Sequence, residues 1–265
     1  MNVYKWDLKR YIKGVLAWST VLILLQFMYA SFYPSFAEDT ELITKWMKIM
    51  PRAFVKLFGL EDLDFSNILN YLAMVSSIYV TLVGSVFASL VGVRSISREE
   101  DEKTAEFLLS KPVSREKIVI SKFLSSLTQV LIFDGIVSLA SLGFLNIYKQ
   151  GDFDVTKFWL FWFSQIVLHL TIMNISFLIG AVLKKIEGAL PLSLGTMFVL
   201  YVVNMISKLT EEAEFLKYFT PFSYSDPAVV MKSGLSASYL YFYVFVNVVL
   251  FTVSALRYSK KDILV

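Results

Sequence analysis

Six stretches of this chain run for twenty residues or more with at most one charge. Five of them, Gly14 to Ala37, Phe65 to Val93, Phe158 to Leu183, Gly188 to Ser207 and Ser233 to Leu256, contain no Asp, Glu, Lys or Arg. A sixth, Phe123 to Tyr148, contains one acid, Asp134. About 20 apolar residues suffice to cross the roughly 30 Å hydrocarbon core of a bilayer as a helix rising about 1.5 Å per residue. Lipid offers no hydrogen bonds, so a spanning segment of this length satisfies its backbone only as a helix. The expected fold is therefore all-α: a polytopic membrane protein with six transmembrane helices near residues 14–37, 65–93, 116–148, 158–183, 188–207 and 233–257, forming one membrane domain over 1–265. Composition agrees, with 56% hydrophobic and 18% charged residues. Soluble domains hold about 45–50% and about 25%.

An even number of spans puts both termini on one side. With the termini in the cytoplasm, 16 of the 25 basic residues fall in inside segments, the bias expected because Lys and Arg resist translocation. The start resembles a signal peptide, with Ser35-Phe36-Ala37 as a small-residue site, but its charge-free run is long for one and reads as an uncleaved first span. Residues 1–13 mix apolar and charged side chains in a way that suits a short interfacial elbow helix. Between the first two spans, apolar residues from Ile43 to Phe58 recur at helical spacing, with Pro51 as a break and Gly59 as a stop. These pieces either anchor the chain at the outer surface or cap an exit route. A second outer loop, Lys208 to Lys232, is acidic at Glu211, Glu212 and Glu214 and is punctuated by Pro221 and Pro227.

Within the spans, Gly84, Ala88 and Gly92 repeat at four-residue spacing, a pattern that brings helix backbones close. Asp134 lies near the middle of the third span, where an ionised carboxylate costs roughly 2.5–3.5 kcal/mol. It either bonds to a neighbouring helix as a protonated acid or serves a substrate or proton. His169, Gln129, Gln165, Asn174 and Asn204 are interhelical hydrogen-bonders first. Asp134, His169, Asn174 and Asn204 are also the candidates for a polar substrate path.

Several functions are excluded. There is no cysteine and a single histidine, so disulfides, thiolate sites and multi-histidine metal sites are ruled out. No G-x-x-x-x-G-K-[ST] loop is present to cradle nucleotide phosphates. No G-x-S-x-G occurs and no second acid accompanies Asp134 in the six runs, which leaves no hydrolase constellation. A net charge of +3 with dispersed basic residues gives no nucleic-acid footprint.

The stretch from Arg94 to Lys122 is the most informative. Ser97 is a candidate N-cap, Glu99 to Glu102 load the following turn with negative charge, and Pro112 stops the helix just beyond Ser110. Ser114 can cap the next helix, which enters span three. A plain connector needs only a few residues; this one reads either as a docking element or as an interfacial turn.

The run Glu99-Glu100-Asp101-Glu102-Lys103-Thr104-Ala105-Glu106-Phe107-Leu108-Leu109-Ser110-Lys111-Pro112-Val113-Ser114-Arg115 resembles the coupling-helix signature of ABC type-2 (ABC-2) permeases, which contains E-x-x-x-T-x-E-x-L-L-S-x-P-V-S-R. The frequent glycine before the threonine is replaced by Lys103. The N-terminal elbow, Tyr218-Phe219-Thr220-Pro221-Phe222 ahead of span six, and the basic tail from Arg257 to Ile263 are similar to the family's layout. The resemblance implies an exporter permease of the plasma (inner) membrane that dimerises with itself or a paralogue and pairs with a separate cytoplasmic ABC ATPase. It implies no cofactor on this chain, with ATP and magnesium held by that partner. Glu99, Glu102, Thr104, Glu106, Phe107, Leu108, Leu109, Pro112 and Arg115 become the expected docking residues. Aromatic-rich spans and family habit suggest a hydrophobic or amphipathic cargo such as a peptide, a lipid-like compound or an antibiotic. Two rivals are a stand-alone ion-coupled transporter using Asp134 and His169, and a membrane anchor or sensor that recruits a soluble partner.

Overall fold

The computed structural model describes residues 3–38, 49–57, 67–101, 113–183 and 185–261, and every regular element among them is helical. Helix α1 runs from Val3 to Glu38 without interruption, roughly 54 Å at the usual rise. The expected elbow is thus not a separate helix. No proline interrupts the ladder before Pro34, and the first turns pack on a neighbouring helix. The Tyr4 hydroxyl lies 3.1 Å from Thr128 Oγ1, and the buried Asp7 carboxylate sits 4.0 Å from Lys122 Nζ.

A short helix, α2 (Arg52–Leu57), follows Pro51, whose carbonyl accepts from Phe54 N at 2.9 Å. Gly59 and residues 39–48 of the expected amphipathic stretch lie outside the described residues.

The second run is more elaborate than one span. Asn67 caps α3 (Ile68–Ile78) by accepting from Leu69 N. A π-helical turn, Tyr79–Val83, follows, and α4 (Gly84–Asp101) continues from it. The part long and apolar enough to cross a membrane is Tyr79–Arg98. Ser97 does not start a new helix as expected. It lies inside α4, fully buried, and its hydroxyl donates to Gly180 O at 3.4 Å, so a neighbouring helix satisfies the group that was expected to cap locally. Residues 99–101 continue α4.

Ser114 does cap α5 (Arg115–Tyr148), accepting from Lys117 N. Asp154 caps α6 (Val155–Val182) through Thr156 N and Lys157 N. Helix α7 spans Ile186–Ser207, and two 3-10 segments, Glu211–Phe219 and Pro221–Ser223, lead to α8 (Pro227–Ser233). The last span begins at Ala237, four residues later than expected. Ser233 ends α8, and Gly234 takes φ 71°, a left-handed geometry that only glycine adopts without strain. Helix α9 then runs Ala237–Ser259.

Among the described residues six helices, α1, the Tyr79–Arg98 segment, α5, α6, α7 and α9, are long and apolar enough to cross a membrane. The most extensive packing is α4 on α6 and α1 on α5, with α9 on α6 and α7 on α4 next. The α4–α6 pair is therefore the centre. Most of α9 is exposed, with Tyr241, Val244 and Phe245 all more than 60% accessible, an apolar exterior that suits lipid and not water.

Candidate functional site: a polar seam and its charged end

The closeness of α4 and α6 is set by missing side chains. A Cβ on Gly92 would sit 2.1 Å from Met173 O, and one on Gly180 would sit 3.0 Å from Val93 O. Ala88, one turn before Gly92 on α4, is fully buried. Without a hydrophobic driving force between helices in lipid, such contact gains dispersion energy and brings polar groups within bonding reach.

A seam of hydrogen bonds follows along α6. At one end Thr81 Oγ1 donates to Gln165 Oε1 at 3.0 Å, Gln165 Nε2 donates to Ser225 O at 2.8 Å, and Ser225 Oγ donates to Ser164 O at 3.0 Å. Farther along, the Ser89 and Ser176 hydroxyls meet at 2.9 Å, and Ser97 reaches Gly180 O beyond them.

The middle of the seam holds Asp134 and His169, both with fully buried side chains. His169 Nδ1 lies 2.8 Å from Asp134 Oδ1, and its Nε2 lies 3.2 Å from Val80 O in the π-helical turn. A carbonyl only accepts, so Nε2 carries a hydrogen. The second proton lies between Nδ1 and the carboxyl group, and three helical elements are joined through one ring. Gly84 makes room for it: a Cβ there would meet His169 Cε1 and Nε2 at 2.5 Å. Asp134 Oδ2 has no hydrogen-bond partner among the described residues.

The other polar candidates are not gathered with this pair. Asn174 Nδ2 donates to Asn247 O at 2.8 Å, and Asn247 Nδ2 donates to Thr171 Oγ1 at 2.9 Å, a knot between α6 and α9. It lies against an apolar groove of about 550 Å³ between α5, α6 and α9, whose walls include Phe123, Leu127, Leu170, Val248 and Phe251. Asn204 sits elsewhere, in a small recess with Thr81, Lys208 and Asp226. There Lys208 pairs with Asp226 and donates to Leu57 O at 3.1 Å, pinning α2 to α7 and the α8 cap.

The opposite end of the bundle is charged. Lys122, fully buried, donates to Ser95 O at 2.7 Å beside Asp7. Arg115 Nη1 donates to Lys261 O at 2.8 Å and Ser259 O at 3.4 Å. Lys261 Nζ donates to Leu183 O at 2.7 Å and Gly180 O at 3.3 Å. Arg115 and Lys261 sit at the C-terminal ends of α9 and α6, where carbonyls lack helical partners and the dipole favours positive charge, while Lys122 reaches a carbonyl inside α4. Of the expected docking residues, Arg115 belongs to this cluster and Glu99 to the last described turn of α4. Glu102, Thr104, Glu106, Phe107, Leu108, Leu109 and Pro112 lie outside the described residues.

Lys122, Lys261, Gly180 and Asn247 were not singled out from the sequence. Gly180, four residues after Ser176, was the available signal, since small residues at that spacing mark close packing.

None of the curated proteins matches the chain. A family model described as "ABC-2 family transporter protein" matches residues 1–263, which is nearly the whole of a helical chain with six membrane-length spans. The chain therefore belongs to the ABC-2 transporter family and is a multi-pass membrane permease of the ABC transporter class.

Proposed function

We propose that this permease serves an ATP-driven exporter. A cytoplasmic ABC ATPase, which holds ATP and magnesium, docks on the segment from Glu99 to Arg115, and its closure drives the bundle between two packings. Two permease copies, or one copy and a paralogue, form the working unit within membrane lipid. Both termini face the cytoplasm, in keeping with 16 of the 25 basic residues. The cargo class is hydrophobic or amphipathic.

The observation that carries the reading is where the docking segment joins the fold. It connects α4 to α5 at the end where Arg115, Lys122 and Lys261 fasten five helices through side chain to carbonyl bonds and the Asp7 contact. A push applied there meets a braced platform instead of a loose loop, and packed helices respond to such a push by switching between discrete arrangements. The groove between α5, α6 and α9 supports the cargo class by its apolar walls.

The test is co-purification of the tagged permease with its ATPase, wild type against Glu106→Lys combined with Leu108→Asp. The ATPase should accompany the wild type and be lost from the folded variant. Equal recovery with both, or with neither, would overturn docking at this segment.

A further inference from the structure

The two ends of the docking segment are joined a second time, through space. On the α4 side, Ser97 donates to Gly180 O near the end of α6. On the α5 side, Arg115 holds the last carbonyls of α9, at Ser259 and Lys261. Lys261 closes the circuit, because its ammonium donates to Gly180 O and Leu183 O of α6. Helices α4, α6, α9 and α5 are thus linked in that order, and residues 102–112 complete the ring.

Three of these helices, α5, α6 and α9, also enclose the apolar groove. Helix α9 keeps most of its surface exposed and is fastened to α6 midway along by the Asn174–Asn247–Thr171 knot, about which its end can swing. A rotation of the first turn of α5 would therefore be passed through the Arg115 guanidinium to the end of α9. The same movement would change the separation of α9 from α6 at Lys261. The Arg115 and Lys261 links are cations on carbonyls at or just beyond helix C-termini, contacts that have direction and are lost when the geometry opens.

We propose that Arg115 and Lys261 are positioning residues that transmit movement of the docking segment to α9, and so set the width of the groove between α5, α6 and α9. This rests on the reading that the ATPase docks between Glu99 and Arg115, and it adds a route and two residues to that reading.

The absence of cysteine makes site-directed spin labelling direct. Labels at Ile120 on α5 and Leu256 on α9, both exposed, report the separation of the two helices by pulsed electron resonance. The sample is the whole permease–ATPase complex in lipid nanodiscs, with and without a non-hydrolysable ATP analogue and magnesium. In the wild type the analogue should shift the distance distribution. In Lys261→Met, which lies outside the docking segment, the ATPase should still co-purify while the shift falls to less than half; in whatever complex Arg115→Ala forms the shift should fall likewise, and Arg115→Lys should retain more of it.

A full shift in both variants, or none in the wild type, would overturn the proposal. Loss of the ATPase from folded Lys261→Met would also overturn it, by making that residue part of the docking surface and not a link between α6 and α9. Failure of the wild-type complex to form would instead refute the docking reading on which the proposal stands. Lys261→Met, in which a linear side chain of similar length keeps the packing, covers the case in which Arg115→Ala does not fold.

Discussion

Gly84 and Gly92 both admit α6 to within contact of α4, but they make room for different things, and substitution separates them. At Gly84 the atoms in the way belong to the His169 ring, 2.5 Å from the position of a Cβ, against the 3.4–4 Å of ordinary contact. The ring would have to retreat by about 1 Å. It is tied at both nitrogens, at 2.8 and 3.2 Å, so retreat stretches at least one bond beyond hydrogen-bonding range. Overpacking of about 1–3 kcal/mol and a weakened buried hydrogen bond of about 1 kcal/mol give an expected loss of about 2–4 kcal/mol for Gly84→Ala. In a His169→Ala background the obstructing ring atoms are gone. The same change should then cost under about 1 kcal/mol, helped by the better helix propensity of alanine. At Gly92 the obstacle is Met173 O at 2.1 Å, part of the backbone. Gly92→Ala should force the helices apart, costing about 3 kcal/mol or more, and Met173→Ala should not relieve it. The assay is reversible unfolding in mixed micelles followed by tryptophan fluorescence, analysed as two double-mutant cycles. Equal costs of Gly84→Ala with and without the histidine, or rescue of Gly92→Ala by Met173→Ala, would refute this account of the seam.

Other outcomes follow from single contacts. Asp134→Asn keeps a donor for His169 Nδ1 and should lose about 1 kcal/mol, whereas Asp134→Ala should lose about 2–4 kcal/mol, measured in the same unfolding assay. Lys122→Met removes the cation beside the buried Asp7 carboxylate and should cost about 3–5 kcal/mol; adding Asp7→Asn should restore at least half of the loss. The exposed Glu214 carboxyl accepts from Lys217 Nζ at 2.6 Å, and this hydrogen bond and the ammonium's charge hold it below its ordinary range. A lowered carboxylate pKa means that its contribution is present above the unfolded value and disappears as pH falls through the folded one. Carbon-detected NMR titration should show Lys217→Ala moving the Glu214 midpoint upward, and an unmoved midpoint would rule out the contact.

The sequence by itself determined the solvent and hence the class of fold. Runs such as Phe158 to Leu183 leave a backbone in lipid no alternative to a helix, although α1 begins eleven residues ahead of its own charge-free run at Gly14. It also held the family, because the segment from Glu99 to Arg115 is a contiguous motif that needs no tertiary knowledge to be read. What depended on tertiary structure was every pairing between helices. Ser97 looks like a cap from its neighbours alone, but Gly180 lies 83 positions away in the chain and offers a carbonyl instead. Asp134 and His169 were separate candidates until packing set them 2.8 Å apart, and Asn204 looked equivalent to them until α7 carried it to another recess. The elbow failed for the same reason, since Asp7 finds Lys122 across 115 residues. A charge-free run records that a helix is in lipid, while the side of that helix facing a neighbour depends on rotation and register. Those are set by a few small residues and buried polar contacts, which a hydropathy pattern does not contain.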